Sequence, residues 1–321
     1  EELRGKGWMI YNEDKGKKQF NHRIRVPYLP DEQLLEGLKM IREEGYKRNA
    51  FIYNCEFFDE ESQIDASRIT YHRSRFPALQ NNYSAIILGD RLNYSPKDEP
   101  ITILPSNEDG DNIIVCGMSQ KENVYVLKNI LTTLNKKDVQ FFLTDMDKLT
   151  SSILCVDDIG INFNKKLRDK NSFGLLLSAI YQEITNRVEG KVKNPKEIWY
   201  LIIGAHKNQQ MLDRMGSDYQ LLIDCLRTGP NYGVHFIVHS REYRPVSEVA
   251  KQADYQIITL LDENQSNLAL QTDEACKLKK NQAILFKDRI AVSKFKVPIF
   301  EIGEIHGGVE DLFEKVNSSF N

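Results

Sequence analysis

Apolar residues occur in short runs along most of the chain, and the segments between the runs are polar or have helical periodicity. Short apolar runs predict buried strands, whereas apolar residues three to four positions apart predict amphipathic helices. The predicted strands are 83–89, 100–106, 112–117, 140–145, 198–205, 232–240, 255–261 and 282–287. The predicted helices are 31–46, 123–135, 172–190 and 218–229. This alternation predicts an α/β fold with a mostly parallel central sheet and helices on both faces.

The two ends of the chain have similar patterns. LRGKGWMIYNE (3–13) and RIRVPYL (23–29) match LKKNQAILFKD (278–288) and KFKVPIF (294–300) in order and character. Each copy alternates like two strands joined by a turn. The spacing is that of a whole domain and is too long for a solenoid repeat. Chance similarity between short strand pairs is the alternative interpretation.

The repeat suggests a division of the chain into four parts. Residues 1–46 are predicted to be the closing hairpin and helix of a preceding domain of the same kind. Residues 47–82 are polar and irregular, which indicates a connector, and 83–306 form the main domain, followed by a tail at 307–321. The chain is then the last part of a tandem array, and its upstream domains are its first expected partners.

Composition limits the class of protein. The 321 residues are 41% hydrophobic and 28% charged, which is enough for a large core. No apolar run approaches the roughly 20 residues of a membrane span, and the first residues resemble neither a signal peptide nor a natural start. The five cysteines stand singly, which argues against disulfides and zinc and predicts a cytoplasmic location.

The net charge is −3, with lysine and arginine spread along the chain. A domain that binds DNA alone by counterion release normally has a basic face. Any DNA binding is therefore expected to be shared with other domains or chains of an assembly.

The first candidate site is the turn after the predicted strand 112–117, because ligands bind at the carboxyl ends of strands in such sheets. A working P-loop, GxxxxGK[ST], wraps phosphates with backbone N–H groups, neutralises them with lysine and holds magnesium with a hydroxyl. This chain has GMSQKENV there. The residues at the four diagnostic positions are Gly117, Glu122, Asn123 and Val124.

These residues argue against ATP hydrolysis at the turn. A carboxylate at Glu122 repels a triphosphate, and Val124 cannot bind magnesium. Lys121 lies one residue before Glu122 and two before the lysine position, so ATP and magnesium would bind only to a reshaped loop. A strand, turn and helix kept for packing is the favoured interpretation.

The strand expected to carry the Walker B carboxylates ends without one. It runs into Gly204 and Ala205, where an acidic pair normally holds magnesium and polarises water. Asp145 ends the strand at 140–145 and is either a remaining magnesium or hydrogen-bonding group or a cap for the next segment.

A family resemblance emerges from these segments. Residues 221–270, with the step Gly233-Val234-His235, resemble the C-terminal half of the FtsK/SpoIIIE motor domain (HerA/FtsK clade), and LRGKGWMIYNE resembles that family's closing segment. The resemblance implies a RecA-like P-loop NTPase fold, rings or stacked domains, and ATP-driven movement of a polymer. The chain looks most similar to the large, multi-domain FtsK-like proteins of bacteria, whose tandem ATPase domains include inactive copies. Some of these act in DNA handling or phage defence, and related tandem motors drive type VII secretion.

The resemblance also suggests secondary roles. Ser240 and Arg241 occupy the sensor-like end of a strand, and Arg227 is a candidate to act on the ATP of a neighbouring domain, with a plain surface role as the alternative. His235 and His239 are about 13 Å apart on a strand, too far for one metal ion. The polar residues Asn162, Asn164, Lys165 and Lys166 are predicted to form a surface loop, with a position facing a ring pore as the alternative.

Three functions fit this sequence. The first is a non-hydrolysing (pseudo-ATPase) scaffold or partner-docking domain of a larger ATP-driven DNA translocase. The second is an ATP-binding domain that uses an altered loop around Lys121. The third is a domain that docks a partner protein or peptide, as in a secretion motor.

Overall fold

The computed structural model of the protein describes most of its C-terminal two thirds and parts of its N-terminal third. The described residues are 8–12, 21–25, 33, 36, 37, 39, 40, 64, 67–81, 85–92, 99–103, 112–135, 139–154, 161, 163–167, 173–287 and 290–300. The chain divides into two compact units, Glu1–Phe57 and Phe58–Asn321. Asn162 and the predicted tail lie outside the described residues.

The first unit contains the predicted hairpin. Strand β1 (Trp8–Asn12) pairs antiparallel with β2 (Asn21–Arg25), with Trp8 opposite Arg25. Residues 33, 36, 37, 39 and 40 are helical, in agreement with the helix predicted at 31–46. The assignment of this segment to a preceding domain stays a prediction, as do the other domain boundaries.

The second unit is built on a ten-stranded sheet. Its strands are β3 (Ile86–Arg91), β4 (Ile101–Ile103), β5 (Ile113–Cys116), β6 (Val139–Asp145), β7 (Phe163–Leu167), β8 (Glu197–Ile203), β9 (Val234–Ser240), β10 (Tyr255–Ile258), β11 (Gln282–Lys287) and β12 (Ile290–Lys296). They lie in the order β4-β3-β12-β11-β10-β5-β9-β8-β6-β7. The run from β10 to β7 is parallel, and the four strands from β4 to β11 are antiparallel.

Helices cover both faces of this sheet. They are α1 (Ser67–Arg75), α2 (Pro77–Asn81), α3 (Gln120–Leu134), α4 (Lys148–Leu154), α5 (Phe173–Val188), α6 (Gln209–Leu212), α7 (Ser217–Thr228), α8 (Tyr243–Ala250) and α9 (Glu263–Leu270). One apolar core contains the buried faces of α3 and α4. The other contains those of α5, α7 and α8. This arrangement confirms the predicted α/β fold, with every strand of the parallel run except the edge strand β7 buried between the two layers.

Two segments differ from their predictions. The polar stretch that includes Asn164, Lys165 and Lys166 was expected to be a loop, but it forms the edge strand β7, whose backbone pairs with β6. An edge strand needs no continuous apolar face, so its sequence lacks the usual signal. Part of the predicted irregular connector is helical as well, because α1 and α2 pack against the buried strand β3.

The buried carboxylate of Asp90 is hydrogen-bonded to α1 and so holds this helix on the sheet. Asp90 of β3 is fully buried and accepts a 2.8 Å hydrogen bond from Nε of Arg68, and its other oxygen is hydrogen-bonded to Nε2 of His72. Arg73 donates to the carbonyl of Ala85 at 2.8 Å. These hydrogen bonds join residues that are 12 to 22 positions apart in the sequence, so local periodicity could not reveal them.

None of the helices in the described part of the chain is both long and apolar enough to cross a membrane. Cys116 and Cys225 are buried free thiols, and Cys276 is free and partly buried. Burial raises the pKa of Cys225 to about 12, so this thiol stays protonated at neutral pH. Cys55 and Cys155 lie outside the described residues.

Candidate functional site

The turn between β5 and α3 is short and closely packed. Helix α3 begins at Gln120, so three residues, Gly117, Met118 and Ser119, connect it to the strand. Gly117 has a φ of +156°, and a Cβ there would lie 2.0 Å from Oγ1 of Thr259. The glycine at the first diagnostic position is therefore required by the close approach of the end of β10.

The backbone N–H groups of this turn donate within the protein. The N–H of Gly117 bonds to the carbonyl of Ser240 at 3.1 Å, and that of Met118 bonds to the carbonyl of Leu260 at 2.7 Å. In a working P-loop the backbone N–H groups of the loop surround the phosphates. Here the first two are used to hold the turn against the neighbouring strand ends.

A carboxylate of the chain occupies the N-terminal turn of α3. Glu122 is 6% exposed, and its two oxygens accept bonds from the hydroxyl of Ser119 and, at 2.9 Å, from the N–H of Asn281. The N-terminus of a helix favours an anion because of the helix dipole and its free N–H groups. That favourable position is therefore taken by a side chain of the protein itself.

Asn123, at the lysine position, is the centre of a buried hydrogen-bond network. Its Nδ2 donates to the carbonyl of Gly117 at 2.7 Å, and its Oδ1 accepts from the hydroxyl of Thr259 at 2.8 Å. The same Nδ2 lies 3.3 Å from Nε2 of His239. Asn123, Thr259 and His239 are fully buried. This network joins the turn, α3 and the ends of β9 and β10.

His239 is neutral within this network. Its Nδ1 accepts a 3.3 Å hydrogen bond from the N–H of Gly204. Burial lowers the pKa of His239 to about 3, against a smaller opposing effect of Asp147. The neutral form is favoured because an imidazolium here would be desolvated.

The other two positions of the predicted motif lie on the same helix. Val124 is fully buried in the apolar core that contains α3. Lys121 is exposed in the first turn of α3. The structure therefore brings Glu122 and Asn123 into the site, buries Val124 away from solvent, and leaves Lys121 at the surface.

The end of β8 borders this network. Gly204 has a φ of +75°, and a Cβ there would lie 2.6 Å from Cβ of Asp147. Ala205 is fully buried. The turn that follows β6 thus packs directly against the end of β8, where the Walker B carboxylates of this fold are expected.

Asp147 places a carboxylate at this point, and sequence reasoning missed it. It is 1% exposed, and its oxygens accept from Nζ of Lys207 at 2.7 Å and from Oγ1 of Thr150 at 2.8 Å. Burial acts to raise the pKa of Asp147, but the hydrogen bonds from Lys207 and Thr150 outweigh it and lower the pKa below its ordinary value. The sequence did contain a signal, since Asp147 is an acidic residue shortly after a predicted strand. That strand is β6, whereas the Walker B carboxylates were expected after β8.

Asp145 was singled out two positions earlier. One of its carboxylate oxygens accepts a 3.1 Å bond from the N–H of Asp147. This contact is the local side-chain-to-backbone turn that aspartate favours after a strand. The bond lies before the first residue of α4, Lys148, so both roles expected for Asp145 stay predictions.

The sensor-like residues lie at the same edge of the sheet. Ser240 is buried; its hydroxyl donates to the carbonyl of Glu242 at 2.5 Å. The N–H of Arg241 donates to Nδ1 of His206 at 3.2 Å. Burial lowers the pKa of His206, which favours the neutral ring that can accept this bond.

Arg227 lies at the opposite edge of the sheet. It lies in the last turn of α7, near the start of β9, and its Nε donates to the side chain of Gln252 at 2.9 Å. The structure therefore does not bring Arg227 together with the turn at Gly117. His235 also lies towards this amino-terminal edge and stacks on Trp199 with a 4.6 Å centroid separation.

No group of three or more potential metal ligands occurs among the residues that the structure describes. The site instead combines a neutral histidine, an asparagine, a threonine and one ion pair at the carboxyl ends of five adjacent parallel strands.

Solved structures share this fold. The conjugation coupling protein TcpA of pCW3, in its monomer form with ATPγS, is 14% identical with a TM-score of 0.55, over 73% of this chain and 71% of that one. ATPases 2 and 3 of EccC from Thermomonospora curvata, in complex with a signal sequence peptide, are 12% identical with a TM-score of 0.57. That match covers 87% of this chain and 52% of the other. The chain has the fold of an FtsK/SpoIIIE-type P-loop ATPase domain.

A third structure of this FtsK-like type is the cytoplasmic domain of EssC, which is 16% identical with a TM-score of 0.50, over 88% of this chain and 56% of that chain. The chain thus spans about half the length of the EccC and EssC structures. No protein-family model matches the sequence, and no curated protein does. At these identities the similarity concerns the fold, which agrees with the resemblance seen in the sequence.

Proposed function

We propose that this FtsK-like domain does not hydrolyse ATP and serves as a scaffold or partner-docking module within a larger ATP-driven translocase. The observation that carries the proposal is the network centred on Asn123, which fills the place of the P-loop lysine and bonds to the carbonyl of Gly117. Glu122 supports it, because a buried carboxylate at the start of α3 opposes a phosphate electrostatically.

The backbone of the turn supports the same proposal. Binding a triphosphate would require the N–H groups of Gly117 and Met118 to leave the carbonyls of Ser240 and Leu260. Leaving buried carbonyls unpaired costs about 1–3 kcal/mol each. The network of Asn123 would also have to open, so nucleotide binding would have to offset several such losses.

The larger assembly is part of the proposal and not of the observations. Rings, stacked FtsK-like domains upstream in the same polypeptide, and DNA held through the assembly are all expected from the family resemblance. A role in DNA handling or phage defence is the pathway that the resemblance suggests.

Two alternatives have specific support. Lys121 is exposed one position before Glu122, so a rearranged loop could present it to a nucleotide. The EccC structure contains a signal sequence peptide, which favours a substrate-docking domain of a secretion motor as the second alternative. The two differ in whether nucleotide or peptide is the ligand.

The deciding experiment is a titration of the domain with a fluorescent ATP analogue, with and without magnesium. We expect no saturable binding up to millimolar nucleotide. Lys121→Ala and the matched surface variant Lys280→Ala are titrated in parallel. Saturable binding that Lys121→Ala removes and Lys280→Ala leaves unchanged would overturn the proposal and make this a nucleotide-binding domain with an altered loop.

A further inference from the structure

A cavity of about 360 Å³ lies at the amino-terminal edge of the parallel strands. It opens where β8 and β9 begin, and the altered nucleotide site lies at the other ends of the same strands. Its lining includes Arg187, Val192, Glu197, Asn231, Tyr232 and Gly233. They come from the end of α5, the loop before β8, the first residue of β8 and the turn before β9.

A buried arginine holds the walls of this cavity together. Arg187 is 8% exposed, and its Nε donates to Glu183 at 2.8 Å. Its two terminal nitrogens donate to the carbonyl of Tyr232 at 2.9 Å and to that of Lys196 at 2.7 Å, with a longer contact to the carbonyl of Gly233. A guanidinium has five N–H groups, so these four acceptors among the described residues leave at least one without a partner.

Two exposed lysines, Lys193 and Lys196 (the rim lysines), belong to the loop whose Val192 lines the cavity. Glu197 places a carboxylate in the lining. Neither rim lysine forms an ion pair with another described residue, whereas Lys191 pairs with Glu189. The carboxylate of Glu197 accepts a 2.5 Å bond from the indole of Trp199. Tyr232, which is 37% exposed, also lines the cavity. The cavity thus offers cationic donors and a carboxylate acceptor side by side.

We propose that this cavity binds an acidic peptide segment of a partner protein. An acidic side chain accepts from Arg187 and is attracted by Lys193 and Lys196, while a backbone N–H of the peptide donates to Glu197. Tyr232 and the amide of Asn231 provide the stacking surface and hydrogen bonds that peptide sites use. The proposal deepens the docking role proposed above, and it does not depend on whether the other edge binds nucleotide.

The same chemistry argues against nucleic acid as the occupant. A phosphodiester offers acceptors but no donors, so Glu197 in the wall would repel it. The net charge of −3 gives the chain no general attraction for DNA. An acidic peptide offers carboxylates to the cationic side chains and backbone N–H groups to the carboxylate of Glu197.

The test uses two fluorescein-labelled pools of random octapeptides, one enriched in Asp and Glu and one in Lys and Arg, and measures anisotropy with the full chain. The acidic pool is expected to bind saturably and the basic pool at least tenfold more weakly. Lys193→Glu with Lys196→Glu should weaken binding at least tenfold. The matched double variant Lys279→Glu with Lys280→Glu, at the carboxyl-terminal edge, should change it less than twofold.

A second variant tests the cavity without changing charge. Val192 is half-buried in the lining, and Val192→Trp should fill the space and weaken binding at least tenfold with an unchanged melting temperature. The proposal fails if the acidic pool does not bind, if the control lysines matter as much as the rim lysines, or if Val192→Trp has no effect. Displacement of the peptides by an equal concentration of duplex DNA would assign the site to nucleic acid and also overturn it. None of these outcomes depends on the ATP titration, so the two proposals fail separately.

Discussion

Replacing Asn123 with alanine tests whether the residue at the lysine position is structural. The change removes the donor to the carbonyl of Gly117 at 2.7 Å and the acceptor of the Thr259 hydroxyl at 2.8 Å. Each hydrogen bond contributes about 1 kcal/mol net, and each partner left buried and unpaired adds a cost. We expect a loss of about 3 kcal/mol of unfolding free energy, or roughly 6–12 °C in melting temperature for a unit of this size.

A double-mutant cycle isolates the pair. Thr259→Val removes the hydroxyl, and on its own it leaves Oδ1 of Asn123 without that donor, so we expect a smaller loss of about 1–2 kcal/mol. The double variant should be less destabilised than the sum of the two by about 1 kcal/mol, because contacting residues couple.

The assay is urea unfolding followed by circular dichroism and by tryptophan fluorescence. Trp199 is fully buried in β8 and reports on this unit, so a Trp8→Phe background removes the other tryptophan of the chain. Asn264→Ala, an exposed asparagine on α9, is the matched control and should change stability by less than about 0.5 kcal/mol.

Two results together would refute the structural argument. Asn123→Ala would be as stable as the Asn264→Ala control, and the losses of the two single variants in the double-mutant cycle would add without coupling. A variant with unchanged stability but altered nucleotide affinity would show instead that Asn123 serves a ligand. The expected pattern is the reverse, with lower stability and no nucleotide binding in either protein.

Four further variants follow from the same geometry. Asn123→Lys restores the motif residue but buries an ammonium group, so we expect a loss above about 3 kcal/mol and no gain of ATP binding in the fluorescent titration. Gly117→Ala places a methyl group 2.0 Å from Thr259, and thermal unfolding should show a loss of about 2–4 kcal/mol. The pKa of Asp147 is lowered in the folded state, so its carboxylate stabilises the fold above the ordinary pKa of 3.8, and this stabilisation is lost as the pH falls through the folded pKa. Asp147→Asn should therefore weaken the dependence of the unfolding free energy on pH across that range, measured by urea unfolding at a series of pH values. The pKa of His239 is lowered to about 3, so the unfolded chain binds the extra proton below its ordinary value of 6.5 and stability falls towards pH 3 by up to about 1.4 kcal/mol per pH unit; His239→Gln should reduce this slope, and an unchanged slope would contradict the assignment.

The sequence determined most of the elements. Apolar runs marked the buried strands β5, β8 and β9, and helical periodicity marked α3 and α5, because burial between two layers leaves a local pattern in the chain. It also showed that Glu122, Asn123 and Val124 depart from a P-loop. The P-loop motif is defined by residue types at fixed spacing, so departures from it can be recognised without a structure.

Only the tertiary structure decided what these residues do. Asn123 and Thr259 are 136 positions apart, and Asp147 meets Gly204 because the strand order places β6 beside β8. The same order sends Arg227 to the opposite edge of the sheet, although it precedes Ser240 by few residues. The mostly polar strand β7 pairs with β6, and only Phe163 and Leu167 at its ends pack on the apolar cores, so it lacks a continuous apolar pattern. Local patterns depend on burial of neighbouring residues along the chain, whereas contacts between turns depend on which strands pair, and distant parts of the chain decide that jointly.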